Sequence, residues 1–303
     1  LDERLPERSI LDVFKASAAQ YPASTAITML MTGAEDEEPR RVNYAQLLGM
    51  IQSAANAFSK LGGPTPGVAY MLPSLIETYV TLWGAETAGY AVPINFLLQT
   101  DSIAELIRAS EAKILVALGP HPQLDIWEKA LEIREQNPDL ILIRVSPPGT
   151  PAEDGVVDFN TALIEQPDDH LIFGEPRGDD DVAAYFHTGG TTGMPKVAQH
   201  KYSGIIYNGW LGGTLLYTPE DNVICPLPIF HVFACHVILM AVITSGAHVV
   251  FPTPAGYRGE GVFDNFWKLI ERWKISFIIT VPTAISALMQ RPVDADVSSV
   301  KTS

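Results

Sequence analysis

Residues 187–196 read HTGGTTGMPK. Gly189, Gly190 and Gly193 lack a Cβ, so the backbone there can take positive φ and bring N–H groups close to an anion. Thr188, Thr191 and Thr192 add hydroxyl donors, and Lys196 adds a full positive charge. Pro195 fixes φ just before that lysine. These residue types in this order suit a polyphosphate. Spacing separates the segment from two other nucleotide loops. A P-loop needs Gly and Lys adjacent, and here Met194 and Pro195 intervene. A GxGxxG fingerprint fails because Gly189 and Gly190 are neighbours. On these residues alone, a Gly-rich turn without a ligand remains the alternative.

His231 is the second candidate, in PLPIFHVFAC (226–235). Set among Phe230, Val232 and Phe233, it reads on its own as a core histidine. His187 and His200 flank the Gly/Thr loop and receive no catalytic role. His236, five residues after His231, falls off its helix face, which argues against a metal pair. Cys225 and Cys235 make no CxxC pattern and read as buried thiols in a reducing, cytoplasmic setting.

The elements that must position these residues alternate. Apolar positions Tyr44, Leu47, Leu48, Ile51, Ala55, Phe58 and Leu61 share one helix face, with Asn43 as cap and Gly62-Gly63 as stop. GVAYML (67–72) reads as a strand, and Ser74 and Glu77 form a capping-box pattern for a helix to about Gly89. YAVPIN is a strand, 100–110 a helix, KILVAL (113–118) a strand, 123–136 a helix and DLILIRV (139–145) a strand. Continuous apolar strands alternating with helices predict a mainly parallel sheet covered on both faces. The Pro-, Gly- and Asp-rich stretch 146–181 reads as surface connection. VAAYFH (182–187) is the strand that feeds the loop. A helix over 203–217, a strand and turn over 222–231, an amphipathic helix over 263–273, a buried strand ISFIITVP (275–282) and a helix from TAISALMQ follow. The fold class is α/β, in two stacked halves with mainly parallel sheets flanked by helices. The division falls at 1–180 and 181–303, the second part carrying the loop.

With 47% hydrophobic and 18% charged residues, the chain can bury a large core. A net charge of −15 argues against nucleic acid as a partner. The apolar window 230–251 is broken by His231, His236, Thr244, Ser245, Gly246 and His248. It reads as a buried helix, a turn and a strand, with no membrane span.

HTGGTTGMPKVA resembles the signature loop of the adenylate-forming superfamily: acyl- and aryl-CoA synthetases, luciferases and peptide-synthetase adenylation domains. That pattern runs Thr-Ser-Gly-Thr-Thr-Gly-x-Pro-Lys-Gly. Gly189 stands where Ser is usual and Val197 where Gly is usual. NYAQLLGMIQSAANAFSKLG, GVAYMLPSLIETYVTLWGAETAGYAVPIN, PLPIFHVFAC and VPTAISALM are similar to further segments of the family, so the resemblance covers nearly the whole chain. It implies the large N-terminal domain of an enzyme that activates a carboxylic acid with ATP and Mg²⁺ and passes the acyl group to coenzyme A. Thr188, Gly189, Gly190, Thr191, Thr192, Gly193 and Lys196 would hold the ATP phosphates, with Thr192 near Mg²⁺. Lys196 and His231 would be catalytic, His231 near the acyl carboxylate. Amino-acid-specific relatives often carry Asp in the segment here spanning Pro226 to His236. None stands there, which favours a fatty or other apolar acid as small-molecule substrate. The family's Tyr-Gly-x-Thr-Glu and Thr-Gly-Asp segments, its hinge and its C-terminal lysine do not occur. The chain is therefore expected to be inactive without a C-terminal portion. A carrier-protein thiol as acceptor, or a non-catalytic nucleotide-binding module, are the alternatives.

Overall fold

The computed structural model describes residues 4–188 and 196–301. Among these the strands are β1 (Thr25–Met29), β2 (Arg40–Asn43), β3 (Gly67–Met71), β4 (Tyr90–Pro93), β5 (Ile114–Leu118), β6 (Ile141–Val145), β7 (Val157–Asp158), β8 (Val182–Thr188), β9 (Lys196–Lys201), β10 (Asn222–Ile224), β11 (His248–Phe251) and β12 (Phe277–Ile278). The α-helices are α1 (Ile10–Gln20), α2 (Tyr44–Gly62), α3 (Ile76–Ala88), α4 (Thr100–Ala109), α5 (Ile126–Gln136), α6 (Phe159–Ile164), α7 (Tyr202–Leu215), α8 (Met240–Ser245), α9 (Val262–Trp273) and α10 (Pro282–Leu288).

Two sheets form. One runs β12-β10-β11-β1-β2 and the other β7-β6-β5-β3-β4-β8-β9. Each is parallel except for one antiparallel pair at an edge, β1–β2 and β8–β9. Strand alternation sorts the core into layers. Val68 and Tyr70 of β3 join Ile27 and Val249 and the helices α1–α3 in one apolar cluster between the sheets. Ala69 and Met71 point the other way, onto α4 and α5. Ile224 and Val250 pack on Phe266, Leu269 and Ile270 of α9. The result is five layers, α/β/α/β/α. Sheet membership does not follow the division at residue 180. β1 and β2 pair into the sheet of the second part, and β8 and β9 into that of the first.

Local signals explain many boundaries. Asn43 Oδ1 accepts from the Gln46 N–H (2.8 Å) and Gln46 Oε1 accepts from the Asn43 N–H (3.0 Å), closing a capping box on α2. Gly63 ends that helix at φ 76°. The expected cap at Ser74 is corrected. The helix begins one residue later, with Leu75 at the cap position and Thr78 Oγ1 accepting its N–H (3.2 Å). Ser74 is drawn away because its own N–H donates to Pro254 O (2.9 Å). The stretch 146–181 holds more than connection. Asp158 caps α6, which buries Phe159. Residues 230–251 form a π-helix (Phe233–Leu239) running into α8, a left-handed Gly246 at φ 78°, and β11. Among the described residues no helix is long and apolar enough to cross a membrane. ISFIITVP keeps strand geometry only at Phe277–Ile278.

Candidate active site

Parallel α/β sheets bind ligands beyond the carboxyl ends of their strands. Both sheets obey that rule around one cleft of about 2490 Å³. Its wall takes Ser74 and Asn95 from behind β3 and β4, and Ser146 from behind β6. The other sheet contributes His231 from behind β10 and Thr253 from behind β11, with Ala284 on α10.

His231 opens into this cleft. The turn that carries it is fixed by the His231 N–H donating to Pro228 O (3.2 Å). Its carbonyl accepts from Cys235 Sγ (3.2 Å), at the start of the π-helix. The Phe230 ring lies 4.8 Å away, centroid to centroid. Partial burial holds the His231 imidazole below its usual range, so it is a neutral acceptor or donor near pH 7. Phe233, two residues on, lines the cleft and is exposed. Tyr207 and Trp210 sit on α7 away from the cleft wall.

The Gly/Thr segment joins β8 to β9. Gly189, Gly190, Thr191, Thr192 and Gly193, including the Mg²⁺ assignment at Thr192, lie outside the described residues. Its two ends are described. Thr188 and Lys196 are register partners, and Thr188 Oγ1 donates to Lys196 O (3.3 Å). Both are exposed, and the Lys196 ammonium has no anionic partner among the described residues. An exposed cation at the foot of such a loop fits a phosphate. Thr188 and Lys196 do not form part of the described cleft wall, so the structure does not bring Lys196 and His231 together directly. Among the described residues no group of three or more His, Cys, Asp or Glu could hold a metal ion.

Two polar contacts escaped the sequence. His187 Nε2 accepts the Asn95 N–H (3.2 Å). Behind the cleft, His236 Nε2 meets Glu86 Oε1 at 2.6 Å, with both side chains buried. Burial drives the Glu86 carboxyl above its ordinary range, against the opposing pull of His236. For the second contact the sequence held a signal. A glutamate inside the apolar run LWGAETAG and a histidine inside FACHVILM each demand a partner when buried.

A family model described as "AMP-binding enzyme" matches residues 14–303. The marinolic acid–CoA ligase of Pseudoalteromonas sp. is 32% identical over 302 residues, covering 97% of this chain and 46% of the relative. The crotonobetaine/carnitine–CoA ligase of Salmonella arizonae is 28% identical over 263 residues, covering 86% of this chain and 48% of the relative. The chain thus spans about half the length of these curated relatives. Among solved structures, an anthranilate–CoA ligase in complex with anthranoyl-AMP superposes with a TM-score of 0.78 at 21% identity, over 96% of this chain and 54% of that one. The N-terminal domain of FACL13 from Mycobacterium tuberculosis gives 0.74 at 21% identity, over 97% and 68%. At these identities the structural likeness speaks for the fold alone.

Proposed function

Since the chain belongs to the AMP-binding enzyme family, we propose that it carries the acid- and phosphate-binding part of an ATP-dependent acid–CoA ligase. A carboxylate cannot acylate a thiol directly, because its leaving group would be oxide. Attack of a carboxylate oxygen on the α-phosphorus of ATP makes a mixed anhydride and expels pyrophosphate. A thiol then displaces AMP. In this reading the loop 188–196 holds the β- and γ-phosphates through backbone N–H groups, threonine hydroxyls and Lys196. Mg²⁺ would share that charge, with Thr192 as its protein neighbour. His231, neutral and facing the cleft, would orient the substrate carboxylate. Phe230, Phe233 and Val232 give the cleft apolar surface, which supports an apolar acid. Coenzyme A is the acceptor that the relatives' names support.

The observation that carries this reading is Lys196, an exposed ammonium at the foot of a Gly/Thr-rich hairpin loop. Titration calorimetry with ATP and with pyrophosphate tests it. Lys196→Ala should weaken both by about 10–100-fold, the worth of one charge-assisted contact, with the unfolding midpoint unchanged. Equal affinities in the two proteins would remove Lys196 from the phosphate role. By itself the chain should release pyrophosphate far more slowly than a full-length relative given ATP and its acid. Comparable turnover would refute that.

A further inference from the structure

His187 has no role in the chemistry above, yet it touches the cleft wall at Asn95. It is the next-to-last residue of β8, one position before Thr188 at the foot of the loop. Its Nε2 accepts the N–H of Asn95, two residues past the end of β4 and part of the cleft wall. Asn95 Oδ1 in turn accepts the Leu97 N–H (3.0 Å), which shapes that wall as a turn. The next residue, Phe96, sets its ring at right angles to Phe230 (5.9 Å between centroids). Phe230 packs on His231. The contacts thus run from His187 through Asn95 and Phe96 to Phe230 and His231.

We propose that His187 is a positioning residue of the acid site, whose imidazole holds the Asn95–Phe96 wall against Phe230 and His231. The hydrogen bond dictates the tautomer. An acceptor Nε2 leaves the proton of the neutral ring on Nδ1. A protonated ring would lose the acceptor. Burial holds His187 below the usual imidazole range and so keeps the acceptor in place. The residue also couples two parts of the site that do not touch, the foot of the phosphate loop and the wall facing the acid. That the wall receives an acid rests on the proposed function; the hydrogen bond does not.

Two variants separate positioning from packing. His187→Gln can present an acceptor where Nε2 stands, whereas His187→Phe keeps the ring shape and loses the acceptor. Imidazole ¹⁵N spectra at pH 7 should show His187 neutral with a bare Nε2. A protonated ring or the opposite tautomer overturns the proposal. Hydrogen exchange at the Asn95 amide should quicken roughly 5-fold in His187→Phe and stay near the wild-type rate in His187→Gln. Equal rates in all three proteins overturn it. Calorimetry with decanoate as probe should show affinity about 5-fold weaker in His187→Phe and restored in His187→Gln. Affinity unchanged in the phenylalanine variant overturns the positioning role. If decanoate does not bind the wild-type protein, the apolar-acid reading fails, and the tautomer and the Asn95 amide still decide for or against His187.

Discussion

The buried pair Glu86–His236 lends itself to a quantitative test. Their side chains are 0% and 3% exposed, and each keeps one polar atom, Glu86 Oε2 and His236 Nδ1, with no partner. Replacing Glu86 with Leu strands the imidazole in an apolar interior, at a cost of about 3 kcal/mol. Replacing His236 with Leu strands a carboxyl that can take up a proton, so the cost falls to about 1–3 kcal/mol. The double variant removes both polar groups and should be more stable than the sum of the singles predicts, by about 2–3 kcal/mol. Urea unfolding followed by tryptophan fluorescence measures all four proteins, with Trp83 one turn before Glu86 on α3 as the local reporter. Singles that add to within about 0.5 kcal/mol would show that the two groups do not depend on each other. The pH dependence gives a second reading. The folded-state value of Glu86 lies above 4.5, so folding favours its protonated form. Wild-type stability should therefore fall, relative to Glu86→Gln, as pH rises from 4.5 through that raised value. A difference that stays flat across this window contradicts the burial argument.

Three further outcomes follow from single residues. His248 binds Asn222 Oδ1 and Thr28 Oγ1, both at 2.7 Å, and burial pushes it down to about 4. Its contribution is full above the ordinary 6.5 and is lost as pH falls through about 4. His248→Gln should accordingly remove about 2–3 kcal/mol of pH-dependent stability between those limits, read from urea midpoints. A Cβ at Gly89 would meet Pro66 O at 2.2 Å, and backbone cannot step aside, so Gly89→Ala should cost about 3 kcal/mol in the same assay. Cys225 is buried and pushed up to about 12, and Cys235 is buried and raised as well. Both should resist a thiol reagent at pH 8 in the native protein and react on unfolding; fast native labelling would contradict their burial.

Features set within a few residues were legible in the sequence. The apolar stripe of α2, its Asn43 cap and Gly63 stop depend on neighbours three or four positions away, and the structure repeats them. So do the continuous apolar runs of β3, β5 and β6. Ser74 shows where such signals fail, since a distant acceptor, Pro254 O, outcompeted the local capping pattern. Short elements also escaped, because β7 and α6 are too brief for any periodicity to show. At the candidate site, His231 was legible only through its resemblance to a family segment; its apolar neighbours alone pointed to the core. His187 and Glu86 were invisible as site residues. Their partners, Asn95 and His236, lie far along the chain, and the charge of a buried side chain says that it needs a partner without saying which.

The pairing of Ile27 with Val249 sets a timetable for the nascent chain. β1 leaves the ribosome well before β11, carrying the buried row Ala26, Ile27 and Met29. One of its edges can be satisfied at once by β2. Its other edge waits for about 220 more residues to be translated. At the usual pace of synthesis that delay is roughly 10–45 s, far longer than a hairpin needs to form. For that interval the β1–β2 ribbon presents an unpaired apolar edge, a template for misplaced strands from neighbouring chains. Production of this protein should therefore respond to slower translation and to chaperones that shield strand edges, whereas the seven-stranded sheet can begin to assemble around β3 and β5 while synthesis is still under way.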